Sequence, residues 1–382
     1  MRTIPHHSCG VIPPHILDRV AQHKGDSGDD ARTTLEQMRE LATERAQTFV
    51  PAIEPVVESE ALTPKKRCNV YDAQHGRHLP GKLTMSEHKS RSSDVEVTEA
   101  YDGSGATFDF YAQVFKRISI DGRGMRLDST VHYSVRFDNA MWNGRQMVYG
   151  DGDGRLFRRF TASLDVIGHE LTHGVTQYAA ALAYSGQTGA LNEHISDAFG
   201  IMVKQFTLGQ SSRESDWLIG AELFTASVKG KAVRSMAAPG TAYDDPVLGH
   251  DPQPAHMRGY VETNDDNGGV HINSGILNHA FYLAAISLGG NSWEVLGRIW
   301  YATLMERLTS NADFNDFARA TVDIAGELYG NGGRVQRILA DAWSSVGLKT
   351  PVFGAPSLPH ARPADRPAVH RPLRKWRRWR AR

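Results

Sequence analysis

The pattern of hydrophobic and polar positions changes its period once along the chain, near residue 160. Before this point, short runs such as CNVYDAQ (68–74) and STVHYSVRF (129–137) carry β-branched and aromatic residues between turn-forming residues, which predicts strands. After it, apolar residues recur at helical spacing over 163–180, 189–208, 273–288, 292–308, 313–329 and 333–346. The pattern predicts an α+β protein with a β-rich N-terminal lobe, a helical C-terminal lobe and a cleft between them.

The first 50 residues differ in pattern from both lobes. A Pro-rich start with IPPHIL (12–17) leads to the polar stretch KGDSGDDART (24–33). Then TLEQMRELATERAQTF (34–49) places three apolar side chains at helical spacing: Leu35, Met38 and Leu41. We therefore expect an extended segment, a linker and one amphipathic helix. The predicted units are residues 1–50, a linker over 51–66, the β-rich lobe 67–160, the helical lobe 161–350 and a tail over 351–382.

Composition places the chain among globular proteins. Of its 382 residues, 40% are hydrophobic and 23% are charged, which suits about two domains. The net charge is zero, but the tail 351–382 holds nine of the 43 Lys and Arg residues and a single acid, Asp365. The Pro and Arg content of this tail predicts a disordered, solvated extension. Its Trp and Arg side chains could contact an anionic membrane or nucleic acid, although no motif specifies a nucleic-acid partner.

Several classes of protein and of site are disfavoured by the sequence. No apolar run is long enough to span a membrane, and residues 1–17 lack the apolar core of a secretory signal. A standard secretory route is therefore unsupported, and retention in the cytoplasm stays open. Cys9 and Cys68 lie far apart and predict neither a disulfide framework nor a Cys-based zinc site. DGDG at 151–154 lacks the rest of an EF-hand calcium loop, so we expect a tight turn there.

Candidate chemistry begins in VIGHELTHGVTQ (166–177), on the first predicted helix of the second lobe. His169 and His173 are four residues apart, so on a helix they share one face and can bind one cation. Glu170 projects beside them as a candidate general base, which is the arrangement found in zinc peptidases. A surface helix that carries two histidines by chance would look the same, so the motif needs a third ligand.

The next predicted helix offers that ligand. In TGALNEHISDAFG (188–200), Glu193 and Asp197 are again four apart on one face, although a solvated acid pair would show the same spacing. Two imidazoles and Glu193 would leave a tetrahedral zinc ion one position for water, as catalytic sites require, whereas structural sites fill all four. Asp197 can accept the free ring N–H of His169 and fix its tautomer.

Together, HELTH and GALNEHISD resemble the thermolysin family of zinc endopeptidases. The motif DNAMW at 138–142 is similar to the edge strand with which that family binds the substrate backbone, and AYSG, RSM and DDNGGVHINSGI also match. The resemblance spans residues 65–350 and implies a two-lobed thermolysin-like fold with one catalytic zinc ion in the cleft. The additional motifs contribute six further candidate site residues: Asn139, Ala140, Tyr184, Arg234, Asp266 and His271.

The resemblance also implies how these residues would act. Zinc would activate a water molecule as the nucleophile, and Glu170 would take a proton from that water and pass it to the leaving amine. Tyr184 and His271 would stabilise the oxyanion, with Asp266 orienting His271, and Arg234 would hold a substrate carbonyl. Without the family, a capping or turn role would explain His271 equally well. We therefore expect a zinc-dependent neutral endopeptidase that acts on peptides or proteins.

The pocket for the residue after the scissile bond is the basis for a predicted specificity. Alignment with the family surrounds it with five apolar side chains: Phe157, Phe160, Val166, Ile219 and Val233. This set predicts cleavage before bulky apolar residues, although core packing would explain the same residue types.

The N-terminal IPPHIL is similar to the short prosegment of the protealysin-like subgroup of this family. We therefore expect a proenzyme in which residues 1–50 block the cleft, with prolines that resist cleavage. Cys9 is a candidate switch, because its thiolate could replace the zinc-bound water, while a free thiol without a role is the alternative. The family implies secretion, here by a non-standard route.

Calcium binding is in doubt in this chain. Where the thermolysin family has glutamates in its paired calcium site, this sequence has Lys204 and, by alignment, Ala221, while Asp165 and Asp216 remain. Lys204 follows Asp197 by seven residues, so both lie on a similar helix face. We predict that Lys204 bridges to the two remaining acids in place of calcium, and the alternative is a lysine that points into solvent.

Two other functions stay open from the sequence. A zinc aminopeptidase could use the same ligands, but no clear motif supplies the acidic anchor that a free amino terminus needs. A catalytically silent zinc-bound binding protein would have no use for Glu170, Tyr184 and His271, which are all present. We expect a monomer.

Overall fold

The computed structural model describes residues 10–48 and 65–350. Its helices are α1 (Pro14–Ala21), α2 (Asp26–Thr48), α3 (Val95–Phe115), α4 (Leu164–Tyr178), α5 (Gly186–Leu208), α6 (Asp266–Leu288), α7 (Leu296–Glu306), α8 (Phe314–Tyr329) and α9 (Arg334–Ser345). Its strands are β1 (Cys68–Asp72), β2 (Lys82–Ser86), β3 (Leu127–Val131), β4 (Ala140–Trp142), β5 (Met147–Tyr149), β6 (Leu218–Ile219), β7 (Arg234–Ser235), β8 (Asp244–Asp245) and β9 (Gly249–His250). The expectations for Cys9, for most of the linker and for the basic tail lie outside the described residues.

The N-terminal lobe is built on a five-stranded sheet in the order β2-β1-β3-β5-β4. Strands β1, β3 and β5 run parallel, whereas β2 and β4 pair antiparallel at the two edges. The DNAMW motif therefore does lie on an edge strand, β4, which leaves one side of that strand available to another segment of chain.

The long helix α3 lies within the half of the chain for which we expected only strands, so that expectation was wrong here. Asp94 caps the helix by accepting the backbone N–H of Val97, but apolar residues do not mark the buried face of α3 clearly, because Ser104 and Thr107 also belong to it. Gly103 and its neighbours also lower the helix propensity. Gly103 is nevertheless required by packing, because a Cβ there would lie 2.4 Å from Ile167 Cδ1 on α4.

The N-terminal segment also differs from the expectation of an extended stretch, a linker and one helix. Residues Pro14–Ala21 form α1, because Pro14 occupies its first position, where no N–H is needed, and Ile16, Leu17 and Val20 are buried on one face. The polar stretch that we took for a linker begins α2 at Asp26 instead. Acidic side chains in the first turn of α2 favour this start, because they interact with the helix dipole.

Helix α4, which carries HELTH, packs against α3 and β4 of the first lobe and against α5 of the second. Its approach to α5 is close because glycines face each other there. A Cβ on Gly168 would lie 3.2 Å from the Cα of Gly200, and a Cβ on Gly200 would lie 2.5 Å from the carbonyl oxygen of Asp165. This contact brings the two motif helices together.

The α+β class with two lobes is confirmed. One apolar cluster joins the sheet, the helical lobe and the N-terminal segment, with Val11, Phe137 and Trp300 among its buried members. No helix within residues 10–48 and 65–350 combines the length and the hydropathy that crossing a membrane demands.

Candidate metal centre

The two motif histidines face each other in the interior between α4 and α5. His169 and His173 are buried, and their Nε2 atoms lie 3.0 Å apart. The Nδ1 of His169 lies 2.8 Å from Asp197 Oδ1, and the Nδ1 of His173 lies 3.0 Å from Asn192 Oδ1. Because both of these oxygens accept hydrogen bonds, each Nδ1 carries the proton and each Nε2 presents a lone pair. Two lone pairs at this distance favour a cation between them.

Glu193 on α5 adds a carboxylate to this pair. Its Oε2 lies 3.5 Å from His169 Nε2, and its Oε1 lies 3.3 Å from His173 Nε2. Ligand atoms about 2.0–2.2 Å from a tetrahedral zinc ion are about 3.4 Å from one another. The donor set and its spacing therefore fit one zinc ion, and three protein ligands leave a fourth position open.

Glu170 lies next to these ligands and is fully buried. Its Oε2 accepts the backbone N–H of Trp142 at 2.9 Å, so the edge strand β4 fixes the carboxylate. Its Oε1 has no hydrogen-bond partner among the described residues. Burial raises the pKa of the Glu170 carboxyl, and the neighbouring His169 and His173 oppose that rise. The carboxylate is thus held at one oxygen and available at the other.

Tyr184 and His271 form the opposite side of the centre. The Tyr184 hydroxyl donates to Glu193 Oε1 and lies 3.2 Å from His271 Nε2. Asp266 holds His271 at two points, at 2.6 Å from Nδ1 and at 2.8 Å from the backbone nitrogen. Burial alone would lower the pKa of His271, but Asp266 and Glu193 outweigh it and raise that pKa above its usual value. Two donors therefore converge where negative charge could develop.

Asp197 connects the centre to the rest of the cleft. Besides His169, its carboxylate accepts two hydrogen bonds from Arg234, at 2.8 and 2.9 Å, and one from Asn278 at 2.8 Å. Sequence reasoning did not identify Asn278 or Asn192. Asn278 follows His271 by seven residues on α6, and this spacing could have revealed their shared face. No comparable signal points to Asn192, whose role depends on how α5 packs against α4.

The residues expected to bind a substrate backbone instead bind the chain's own N-terminal segment. The N–H of Val11 donates to the carbonyl of Ala140 at 3.1 Å, and the carbonyl of Val11 accepts from Arg234 Nη1 at 3.0 Å. Asn139 binds both backbone groups of Ile12, each at 3.0 Å. Residues 11 and 12 therefore extend the sheet edge beside β4.

The five apolar residues expected to line the neighbouring pocket are all buried: Phe157, Phe160, Val166, Ile219 and Val233. The β6–β7 pairing sets Ile219 opposite Arg234, next to Val233, while Phe157 and Phe160 lie with ring centres 6.2 Å apart. The fully buried Val11 belongs to the same apolar cluster.

Lys204 contacts the acids predicted for it rather than solvent. Its Nζ lies 3.0 Å from Asp165 Oδ2, 3.1 Å from Asp216 Oδ2 and 3.8 Å from Glu222 Oε1. Burial would lower the pKa of Lys204, but these carboxylates, Asp165 first, raise it instead. Glu222, beside Ala221, also presents a carboxylate to Lys204.

Neither cysteine can be connected with this centre from the structure. Cys9 lies outside the described residues. Cys68 is buried in β1, and burial raises the pKa of its thiol to about 12, which makes it unreactive.

Two family models together match most of the chain. Residues 53–177 match the thermolysin metallopeptidase catalytic domain, and residues 180–348 match the thermolysin metallopeptidase alpha-helical domain. The boundary between the two matches falls at the end of α4.

Individual relatives agree with these matches. An extracellular metalloprotease of Pectobacterium carotovorum subsp. carotovorum is 48% identical over 344 residues, which cover 89% of this chain and 96% of that protein. Protease PrtS of a Photorhabdus species is 43% identical over the same length, covering 89% and 92%. Among solved structures, the precursor of protealysin, a metalloproteinase from Serratia proteamaculans, matches with a TM-score of 0.77 and 46% identity, covering 89% of this chain and 99% of that one. The chain belongs to the thermolysin family of zinc metalloendopeptidases, in its protealysin-like branch.

Proposed function

We propose that this chain is made as a proenzyme and, once mature, hydrolyses internal peptide bonds that precede bulky apolar residues. One observation carries the proposal. The Nε2 atoms of His169 and His173 lie 3.0 Å apart, and each has one carboxylate oxygen of Glu193 within 3.5 Å. Beside them, Glu170 presents a carboxylate oxygen that no described residue binds. A metal-binding protein without chemistry has no need of that buried, unsatisfied oxygen.

Each side chain has a part in the proposed reaction. His169, His173 and Glu193 hold zinc, which when bound polarises the scissile carbonyl and lowers the pKa of water. Glu170 Oε1 accepts a proton from the attacking water and returns it to the leaving amine. The Tyr184 hydroxyl and the His271 Nε2–H donate to the oxygen on which negative charge develops.

The contacts of Val11 and Ile12 support the proposed specificity. If a substrate adopts the same contacts, the residue that follows its scissile bond takes the place of Val11, with Ala140 and Arg234 on its backbone. Asn139 then binds the residue after it. The side chain at the Val11 position is fully buried in the same apolar cluster as Phe160 and Val233, which favours a large apolar residue there.

The experiment for this specificity is digestion of an unfolded protein by the mature chain, followed by identification of the new amino termini. Leu, Ile, Val and Phe are expected to predominate at these termini. A spread of residues that follows the composition of the substrate would contradict the assigned pocket.

The same contacts support a prosegment that blocks the cleft. While Val11 and Ile12 occupy the edge of β4, no substrate can bind there. Helix α2 anchors the segment on the first lobe, since Gln37 donates to Ser134 at 2.9 Å and the Thr34 hydroxyl accepts the N–H of Asp138 at 3.1 Å. We propose residues 1–50 as this prosegment. The role of Cys9 stays a separate prediction.

Replacing Val11 with Asp is expected to raise the initial activity of the purified precursor on the order of tenfold, because a carboxylate cannot be buried in an apolar pocket without a partner. The measurement is the initial rate on a quenched peptide, with intact mass recorded at the same time to exclude prior cleavage. Thr33→Asp is the matched control, since Thr33 is exposed on α2, and it should stay latent. Equal latency of the two variants would rule out the assigned contact.

We also propose that Lys204 takes the place of a calcium ion. The donors around it fit an ammonium group better than a pair of calcium ions, because Lys204 itself occupies the space between Asp165 and Asp216. A salt bridge of this kind is worth more when its groups are buried, and Asp165 is fully buried.

Removing calcium while keeping zinc is therefore expected to leave the melting temperature of the protein almost unchanged. Lys204→Met should lower the free energy of unfolding by about 1–3 kcal/mol, because it leaves the buried Asp165 without its partner. Lys231→Met is the control, since Lys231 is exposed. A large rise in melting temperature on adding calcium to the unmodified chain would contradict the assignment.

We propose export for this enzyme, since the similar protein of Pectobacterium is named an extracellular metalloprotease. The division into a β-rich lobe over 67–160 and a helical lobe over 161–350 is likewise proposed, as is a monomer. Substrates of the mature enzyme are peptides or proteins.

A further inference from the structure

Three potential metal ligands meet at one end of the sheet in the first lobe, beyond the last residues of its parallel strands and outside the candidate zinc centre. His75 follows β1, His132 follows β3 and Asp151 follows β5. These strands are parallel neighbours, so their carboxyl ends lie side by side, where ligands commonly bind in parallel sheets. The N–H of His75 also donates to the carbonyl of His132 at 2.9 Å, which joins two of the loops.

The ligand atoms have the spacing of a metal site. His132 Nδ1 lies 2.9 and 3.0 Å from the two oxygens of Asp151, and His75 Nδ1 lies 3.5 Å from Asp151 Oδ2. All three ligand atoms lie within 4.8 Å of one another. The contacts among the ligand atoms of the candidate zinc centre measure 3.0, 3.3 and 3.5 Å. The donors are also the same, two imidazoles and one carboxylate.

Both sites have a carboxylate on the far nitrogen of a histidine. Asp197 lies 2.8 Å from His169 Nδ1, and Asp94 lies 3.0 Å from His132 Nε2. Asp94 is fixed in turn, because its Oδ1 accepts the N–H of Val97 at the start of α3. A carboxylate in this position orients the ring and makes the other nitrogen a stronger ligand.

The backbone at both histidines is unusual. His75 has a φ of 58° and His132 a φ of 52°, in the left-handed region that residues other than glycine seldom adopt. Such conformations concentrate at functional sites. The His75 side chain is 57% exposed and that of Asp151 is 25% exposed, so an ion can reach them from solvent.

We propose that His75, His132 and Asp151 bind a second metal ion of the zinc class, distinct from the zinc of the candidate catalytic centre. Two imidazoles with one carboxylate suit zinc or a similar transition metal, whereas calcium and magnesium prefer oxygen ligands. Water can complete the coordination on the exposed side. The ion links the ends of three strands and stabilises the first lobe, so its role is separate from hydrolysis.

Two carboxylates lie against the His132 ring, Asp151 at Nδ1 and Asp94 at Nε2. The hydrogen bonds to Asp151 and Asp94 raise the pKa of His132 to about 9, because both carboxylates favour a positive charge between them. A divalent cation bound at Nδ1 would also place positive charge beside these carboxylates.

Zinc binding to the full-length chain with Glu170→Gln tests the proposal, since that background prevents self-cleavage and the readout is metal content rather than activity. Equilibrium dialysis against zinc alone, followed by elemental analysis, should give two zinc ions per chain. His75→Ala and Asp151→Asn should each retain one at the same free zinc concentration. Asp94→Asn should bind the second ion about 10–100-fold more weakly.

His88→Ala is the matched control, because His88 is exposed in the same lobe and outside the cluster, and it should retain both ions. When each variant starts with a single bound zinc ion, added zinc should raise the melting temperature of His88→Ala. It should leave the melting temperature of His75→Ala unchanged. A single zinc ion in the background chain, or a second ion that persists with equal affinity in His75→Ala and Asp151→Asn, would overturn the proposal.

Discussion

Replacing Glu170 with Gln is expected to lower the turnover of the mature enzyme by about 10²–10⁴-fold while the zinc content stays at the level of the unmodified enzyme. The amide keeps the size of the side chain, and its oxygen can still accept the N–H of Trp142, so β4 and α4 keep their positions. The substitution changes the side chain at its second carboxylate oxygen, Oε1. A carboxylate Oε1 can accept a proton from water, whereas the amide nitrogen that replaces it cannot.

The measurement for Glu170→Gln pairs the rate on a quenched peptide with metal analysis of the same sample. Glu327→Gln makes the same chemical change at an exposed position on α8, where the side chain pairs with Arg307, so both readouts should stay at the unmodified level. Turnover of Glu170→Gln close to that of the unmodified enzyme would remove Glu170 as the base.

Glu193→Ala is expected to abolish both activity and stable zinc binding at the candidate catalytic centre. This substitution removes one of three ligands and leaves two imidazole lone pairs 3.0 Å apart without the third donor. The effect differs in kind from that of Glu170→Gln, because zinc itself is lost rather than the proton acceptor. Tyr184 also loses the carboxylate oxygen to which its hydroxyl donates.

Metal analysis after dialysis distinguishes these cases, and circular dichroism shows whether α5 is retained. Glu327→Ala should keep its zinc. Zinc in a folded Glu193→Ala protein could be bound at the second proposed site, so the same measurement is made on Glu193→Ala combined with His75→Ala. Zinc that persists in this double variant would remove Glu193 from the ligand set.

The spacing of residues along a helix carried most of what the sequence could predict about the centre. His169 and His173 had to share a face of one helix, as did Glu193 and Asp197 of another, and the structure brings all four together. Asn192 could not be found in this way, because its contact with His173 depends on the distance between α4 and α5. That distance is set by Gly168 and Gly200, whose importance appears only once the helices are packed.

The errors in the fold have separate physical causes. Helix α3 was missed because its buried face includes Gly103, Ser104 and Thr107, which weaken the periodic pattern of apolar residues. Helix α1 was missed because Pro13 and Pro14 suggested extended chain, although a proline at the first position of a helix is favourable. Short elements such as β6 and β7 have only two residues each and depend on pairing rather than on local sequence.

Contacts between residues far apart in the chain also could not be predicted from the sequence. His75 and Asp151 meet because β1, β3 and β5 are parallel neighbours, an order that no local pattern determines. The spacing between Asp197 and Lys204 became informative only after the family resemblance had indicated a calcium site at this position. The contact with Glu222 still had to come from the structure.

The most direct test of zinc endopeptidase activity is cleavage of an internally quenched peptide, blocked at both ends, by the mature chain before and after zinc is removed. The zinc-loaded enzyme should cut the peptide at an internal bond before an apolar residue, the stripped enzyme should leave it intact, and one equivalent of zinc should restore the rate. An intact blocked peptide beside a matched peptide that loses its free amino-terminal residue would indicate an aminopeptidase instead. Cleavage that continues at the full rate without zinc, or an inert zinc-loaded chain, would equally contradict zinc endopeptidase activity.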